Sequence, residues 1–64
     1  MKNREKILNR IYKACFLYPN FKEKFVEDWG WVSETMQDGN EDRISVEVLR
    51  CVDLWIDSEF DLTF

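Results

Sequence analysis

The sequence has no histidine. That removes the commonest general base and a usual metal ligand. Glycine occurs only at positions 30 and 39, which leaves no loop able to cradle a phosphate. The two cysteines, Cys15 and Cys51, lack metal-ligand spacing and have no catalytic partner in view. Ser33, Ser45 and Ser58 sit in no nucleophile motif. The acidic run from Asp38 to Asp42 loosely resembles a calcium loop, but it lacks the alternating ligand order and the closing Glu at the twelfth position. The sequence therefore points to no enzyme, no cofactor and no metal. No apolar run approaches the ~20 residues that cross a bilayer. No apolar segment with a small-residue cleavage site follows the charged N-terminus. Beginning at Met, the chain reads as a complete small cytoplasmic protein. Both cysteines fall on apolar helical arcs, so two buried, reduced thiols are expected.

The 64 residues do hold a high share of apolar material, 45% hydrophobic with ten aromatics, which excludes a disordered tail. They make one domain at most. A core of this size supplies only about 3–5 kcal/mol, and small domains often add to it by oligomerising. The net charge is −4. It argues against general nucleic-acid binding, whose affinity comes mostly from neutralised phosphates. The charge is unevenly spread. Lys2, Arg4, Lys6, Arg10 and Lys13 face Glu5 alone in the first nineteen residues, and the remainder is acidic.

Periodicity predicts an all-α protein, a compact three-helix bundle with helices at about 4–18, 21–36 and 45–58. In the first, Ile7, Leu8, Ile11, Ala14, Cys15 and Tyr18 repeat at three and four, with Tyr12 and Phe16 widening the apolar arc. Asn3 is the expected N-cap. Pro19 ends this helix by disfavouring the helical conformation at Tyr18. Asn20-Phe21-Lys22-Glu23 has the form of a capping box and starts the next. There Phe21, Phe25, Trp29, Val32 and Met36 keep one phase across Gly30. A single helix to Met36 is expected, although Gly30 costs it ~1 kcal/mol and a kink there stays open. Asp38-Gly39 marks a turn. Ile44 to Val48 alternates as a strand would, but no partner strand is evident and the pattern beyond is helical. Ser45 or Asp42 would cap the third helix. Its arc of Val48, Leu49, Cys51, Val52, Trp55 and Ile56 is broad enough to need cover from more than one neighbour, so it reads as the central helix. Glu59 would point into that arc, which sets the expected end at Asp57 or Ser58. The aromatics of residues 60–64 are expected to fold back on the bundle.

With the reactive chemistries absent, surface remains. Leu17, Trp31, Val46 and Leu54 fall on arcs where charge is expected. On a continuous helix Trp31 lies among Lys24, Glu27, Glu34 and Thr35, unless a break at Gly30 turns it into the core. Leu54 sits between Glu47, Asp57 and Asp61. The reading is a non-enzymatic regulator or inhibitor that occupies a surface of another protein. Trp31 and Leu54 would act as anchors, and Glu27, Glu34, Glu47, Asp53, Asp57 and Asp61 as the electrostatic complement. A nucleic-acid-handling protein is one such target, since acidic rows could compete for its phosphate-binding groove. Size and composition match stand-alone regulators and inhibitors, including those of phages and mobile elements. Two alternatives stay open. One is a small nucleic-acid-binding regulator, acting as a dimer and using Lys6, Arg10 and Lys13 on the basic face of the first helix. The other is a structural homo-oligomer, such as a homodimer, held by the exposed apolar set.

Overall fold

The computed structural model describes residues 3–60. Its elements are α1 (Asn3–Leu17), α2 (Phe21–Gln37), a single 3₁₀ turn (Glu41–Arg43) and α3 (Val46–Glu59). Together they form the expected three-helix bundle, with no strand among the described residues. Three pairings give its direction. Arg4 meets the Ile44 carbonyl, Arg10 meets Asp53 and Asp57, and the Tyr18 ring meets Phe60. The numbers rise together, so α1 and α3 run parallel. Lys24 pairs with Glu59 and Asp28 with Trp55, so α2 runs antiparallel to α3.

Each helix buries a narrow apolar face. α1 contributes Ile7, Ile11 and Ala14, and α3 contributes Leu49, Val52 and Ile56. From α2 come Phe21, Phe25, Val32 and Met36, while Ile44 and Phe60 close the two ends. Fully burying an aliphatic side chain of this kind is worth roughly 1.5–3 kcal/mol. Pro19 lies two residues beyond the end of α1, and the last α1-type bond runs from the Tyr18 amide to the Ala14 carbonyl, 2.9 Å. Ser45 caps α3: its hydroxyl accepts from the Val48 amide at 3.2 Å. At the end of α2 the Asn40 amide reaches the Thr35 carbonyl (3.0 Å) and the Gly39 amide the Met36 carbonyl (3.1 Å). That is a Schellman ending, with Gly39 at φ 78° in the left-handed position that glycine occupies without strain.

Several expectations are corrected. α2 is not one regular helix. Its backbone leaves helical geometry at Trp29 (φ −134°, ψ 45°), one residue before Gly30. The two halves fold toward one another, so that Lys22 and Val26 share a surface depression with Gln37. Trp29 keeps its place against the core, which is why the apolar phase survives the break. Asn3 is already helical and is not the cap. Asn20 stands at the N-cap of α2 with a helical backbone and makes no side-chain capping bond, because a cap needs the more extended conformation. α3 continues through Glu59, whose carboxylate swings out to Lys24 at 2.8 Å instead of entering the core. Cys51 is exposed, and Cys15 is only half-buried. The buried arc of α3 is rotated toward α1, drawing Asp53 inward and leaving Cys51 outside with Glu47, Leu54 and Ser58. Phe16 is 87% exposed. It lies opposite the buried Ile7 on the helical wheel, on the side of α1 turned away from the core. Phe60 folds back as expected. Residues 61–64 lie outside the described residues, as does the expectation that Phe64 folds back.

Candidate interaction surface

The carboxylates that the sequence presents as one acidic set are divided by the fold. Asp53 and Asp57 stand one turn apart on α3 and both face Arg10 of α1. Arg10 Nη1 donates to Asp53 Oδ1, and Nη2 donates to Asp57 Oδ1 at 2.5 Å. The Arg10 side chain is only 16% exposed. The hydrogen bond to Asp57 and the two negative charges raise its already high pKa, against the opposing effect of burial. These three residues form an internal clamp between α1 and α3. Lys6 and Arg50 flank it in a groove of about 260 Å³ that also contains Asp53. The basic face expected of α1 is therefore partly neutralised within the molecule.

The remaining candidates point to solvent. On α2, Glu27, Trp31 and Glu34 are exposed. Trp31 is 53% exposed, so the break at Trp29 does not carry it into the core. Its carbonyl accepts from the Thr35 hydroxyl at 2.7 Å, one turn later. Glu34 lies three residues along, on the same face. On α3, Leu54 is 68% exposed and shares the outer face with Glu47. Glu34 and Glu47 make no ion pair with any described residue. Asp61 falls outside the described residues.

The chain matches no family model, no curated protein and no solved structure. Its chemistry has to be read from the geometry alone. Among the described residues no three His, Cys, Asp or Glu side chains gather where they could hold a metal ion. No described helix is long and apolar enough to cross a membrane.

Two further features went unnoticed in the sequence. The first is the Tyr12–Glu41 bond, in which the phenol donates to Oε1 at 2.6 Å and ties α1 to the 3₁₀ turn. It holds the Tyr12 pKa up to about 12 and the Glu41 carboxyl below its ordinary value. No local pattern could reveal a pair so far apart in the chain. The second is an apolar groove of about 180 Å³ between α1 and the two halves of α2, lined by Ile11, Tyr12, Cys15, Phe25 and Met36, with Lys22 and Gln37 at its edges. Its desolvated wall pushes the Cys15 thiol pKa up, opposed by the nearby Lys22 charge, so this cysteine is a poor nucleophile. The groove exists because α2 breaks, which the unbroken apolar phase conceals. The exposure of Phe16 had a signal in its wheel position opposite Ile7, which the neighbouring Tyr12 masks by seeming to extend the apolar arc.

Proposed function

We propose that this chain is a non-enzymatic protein-binding regulator or inhibitor of the cytoplasm, recognising a basic surface on its partner through the outer faces of α2 and α3. The observation that carries the reading is the exposure of Trp31 and Leu54 beside Glu34 and Glu47, which make no ion pair with any described residue. Large apolar side chains ringed by charge are the usual anchors of protein interfaces, and the surrounding carboxylates would speed encounter with a basic partner. Asp53 and Asp57 contribute less to this surface, since Arg10 already engages them, and Glu27 is moderated by nearby Lys24. A protein that handles nucleic acid offers a basic groove of the required kind. The same net charge of −4 and the clamped Arg10 disfavour direct binding to nucleic acid.

The test uses the wild-type chain beside Trp31→Ala and Leu54→Ala, each as bait in lysate of the native host. A partner captured by the wild type and lost by the two variants is expected, with circular dichroism and melting midpoints that match across all three. Association of the purified pair should slow as salt rises. Capture that is indifferent to both substitutions would sink the reading, as would a tight complex of the purified chain with duplex or single-stranded DNA at physiological salt.

A further inference from the structure

We propose that this chain exchanges halves with a second copy of itself: α2 straightens through Trp29, and α1 with the first half of α2 packs on the second half and α3 of the other copy. The break at Trp29 divides the chain into two units. The pairings that hold the bundle run between them. Arg10 meets Asp53, Lys24 meets Glu59 at 2.8 Å, and the Phe21 ring lies 5.1 Å from that of Phe60. Each unit alone leaves its share of the core uncovered. Whatever covers it has to bring the same side chains in the same order. In the closed form they come from the chain itself, and a second copy carries the identical set. The occupant is therefore selected by pairings the molecule already makes, not by the shape of an exposed groove. None of these pairs involves Trp31 or Leu54, so this inference stands or falls independently of the partner-binding one.

The hinge itself is suited to opening. α2 contains no proline, and Gly30 does not take a positive φ. Both residues at the break can adopt helical angles. The apolar phase of Phe21, Phe25, Trp29, Val32 and Met36 is that of one uninterrupted helix. The closed form also leaves the Trp29 indole N–H buried without a hydrogen-bond partner, a cost confined to the hinge. Straightening has a definite consequence for the core. In the closed form Phe25 and Met36 line one groove, and Lys22 and Gln37 share a depression. On a straight helix Phe25 and Met36 stand about 16 Å apart along the axis. A chain that straightens therefore gives up these neighbours within itself, and the second copy's matching half restores each of them. Two chains that exchange halves in this way are related by a twofold axis, and the assembly closes as a dimer instead of propagating.

Co-refolding of isotope-labelled and unlabelled full-length chains tests the exchange. The mixture is refolded from denaturant at micromolar and at millimolar concentration and then examined by sedimentation. Monomer is expected from the dilute sample and dimer from the concentrated one. In the mixed dimer, isotope-filtered NOEs should connect the Phe21 ring of one copy to the Phe60 ring of the other. That readout needs no variant to fold. Gly30→Pro should weaken dimerisation at least about a hundredfold, because proline disfavours the helical conformation at Trp29 and removes an amide from the straightened helix. The closed form already departs from helical geometry at Trp29 and has open space at Gly30, so dilute Gly30→Pro should keep the wild-type circular dichroism. A wild-type chain that stays monomeric after refolding at millimolar concentration overturns the proposal. A dimer whose Phe21–Phe60 NOEs stay within one chain, or that Gly30→Pro forms equally well, associates through intact closed monomers and overturns it too.

Discussion

α3 is held by two unlike seams. Toward α2 it presents aromatics: Trp55 and Phe60 pack with Phe21 at ring-centroid distances of 5.5 and 5.1 Å, and Tyr18 adds a ring at 5.3 Å from Phe60. The Trp55 indole donates to Asp28 at 2.9 Å, which satisfies the polar edge of an otherwise apolar cluster. Toward α1 the seam is aliphatic and is pinned by charge, with Arg10 between Asp53 and Asp57. The aromatic seam joins elements through area and is tolerant of small shifts. The charged clamp fixes how far α1 is displaced along α3, since a guanidinium must reach two carboxylates one turn apart. Stability should reside mainly in the first seam, and axial alignment in the second.

The largest expected effect breaks the aromatic seam. Phe21 is fully buried and touches three of its rings, so Phe21→Ala should cost about 3–5 kcal/mol. That is the entire stability of so small a domain. Circular dichroism should show loss of helix at room temperature. Ile11→Ala in the aliphatic seam follows at about 2–4 kcal/mol, leaving a marginal protein with a low melting midpoint.

Arg10→Ala separates the roles of the two seams. The clamp is partly exposed, with Asp53 at 28% and Asp57 at 51%, so the cost should lie near 1–2 kcal/mol, between that of surface and buried pairs. Arg10→Met should recover the part due to packing of the stem and not the part due to charge. If denaturant melts show Arg10→Met as stable as the wild type, the clamp acts for alignment alone. Gly30→Ala lies outside both seams. A methyl there meets nothing within 4 Å, and the helix break sits at Trp29, so the change should stabilise by about 0.4–1 kcal/mol. A destabilised variant would assign the break to Gly30 after all.

The smallest effect is a pH dependence. Tyr12, held up by its bond to Glu41, contributes its stabilisation fully below the ordinary value of 10.0 and loses it as pH rises through about 12. Glu41, held below its ordinary 4.5, contributes fully above that value and loses it as pH falls through the lowered pKa. The bond is therefore intact across neutral pH. Melting midpoints at alkaline pH should decline less in Tyr12→Phe than in the wild type, and phenolate absorbance should resolve the late-titrating tyrosine.

Much of this architecture was legible from residue spacing, because helical periodicity is a local property. Ile7, Ile11 and Ala14 announce the buried face of α1, and Leu49, Val52 and Ile56 that of α3. What escaped depends on partners remote in the chain. Asp53 and Asp57 look like Glu47 in the sequence, yet Arg10, on the first helix, engages both, and the buried arc of α3 leaves Cys51 outside. Trp29 keeps apolar phase while abandoning helical geometry, so periodicity could not report the break or the groove it opens. Ile44 is buried although its alternating surroundings suggested neither helix nor core. Trp31 and Leu54 stood out because their neighbours on the same helical faces are charged. Phe16 did not, since Tyr12 appeared to extend one apolar arc toward it.

The parallel pairing of the first and last helices has a consequence for how the protein is made. Phe60 fills the aromatic cluster that Tyr18, Phe21 and Trp55 begin. Without that segment the apolar faces of α1 and α2 have nothing to close on. Folding must wait until α3 is available, and any Phe21, Phe25 or Trp29 exposed before then is open to aggregation or to a holding chaperone. A chain truncated before Phe60 should be recovered mainly as insoluble or degraded product rather than as a smaller folded domain.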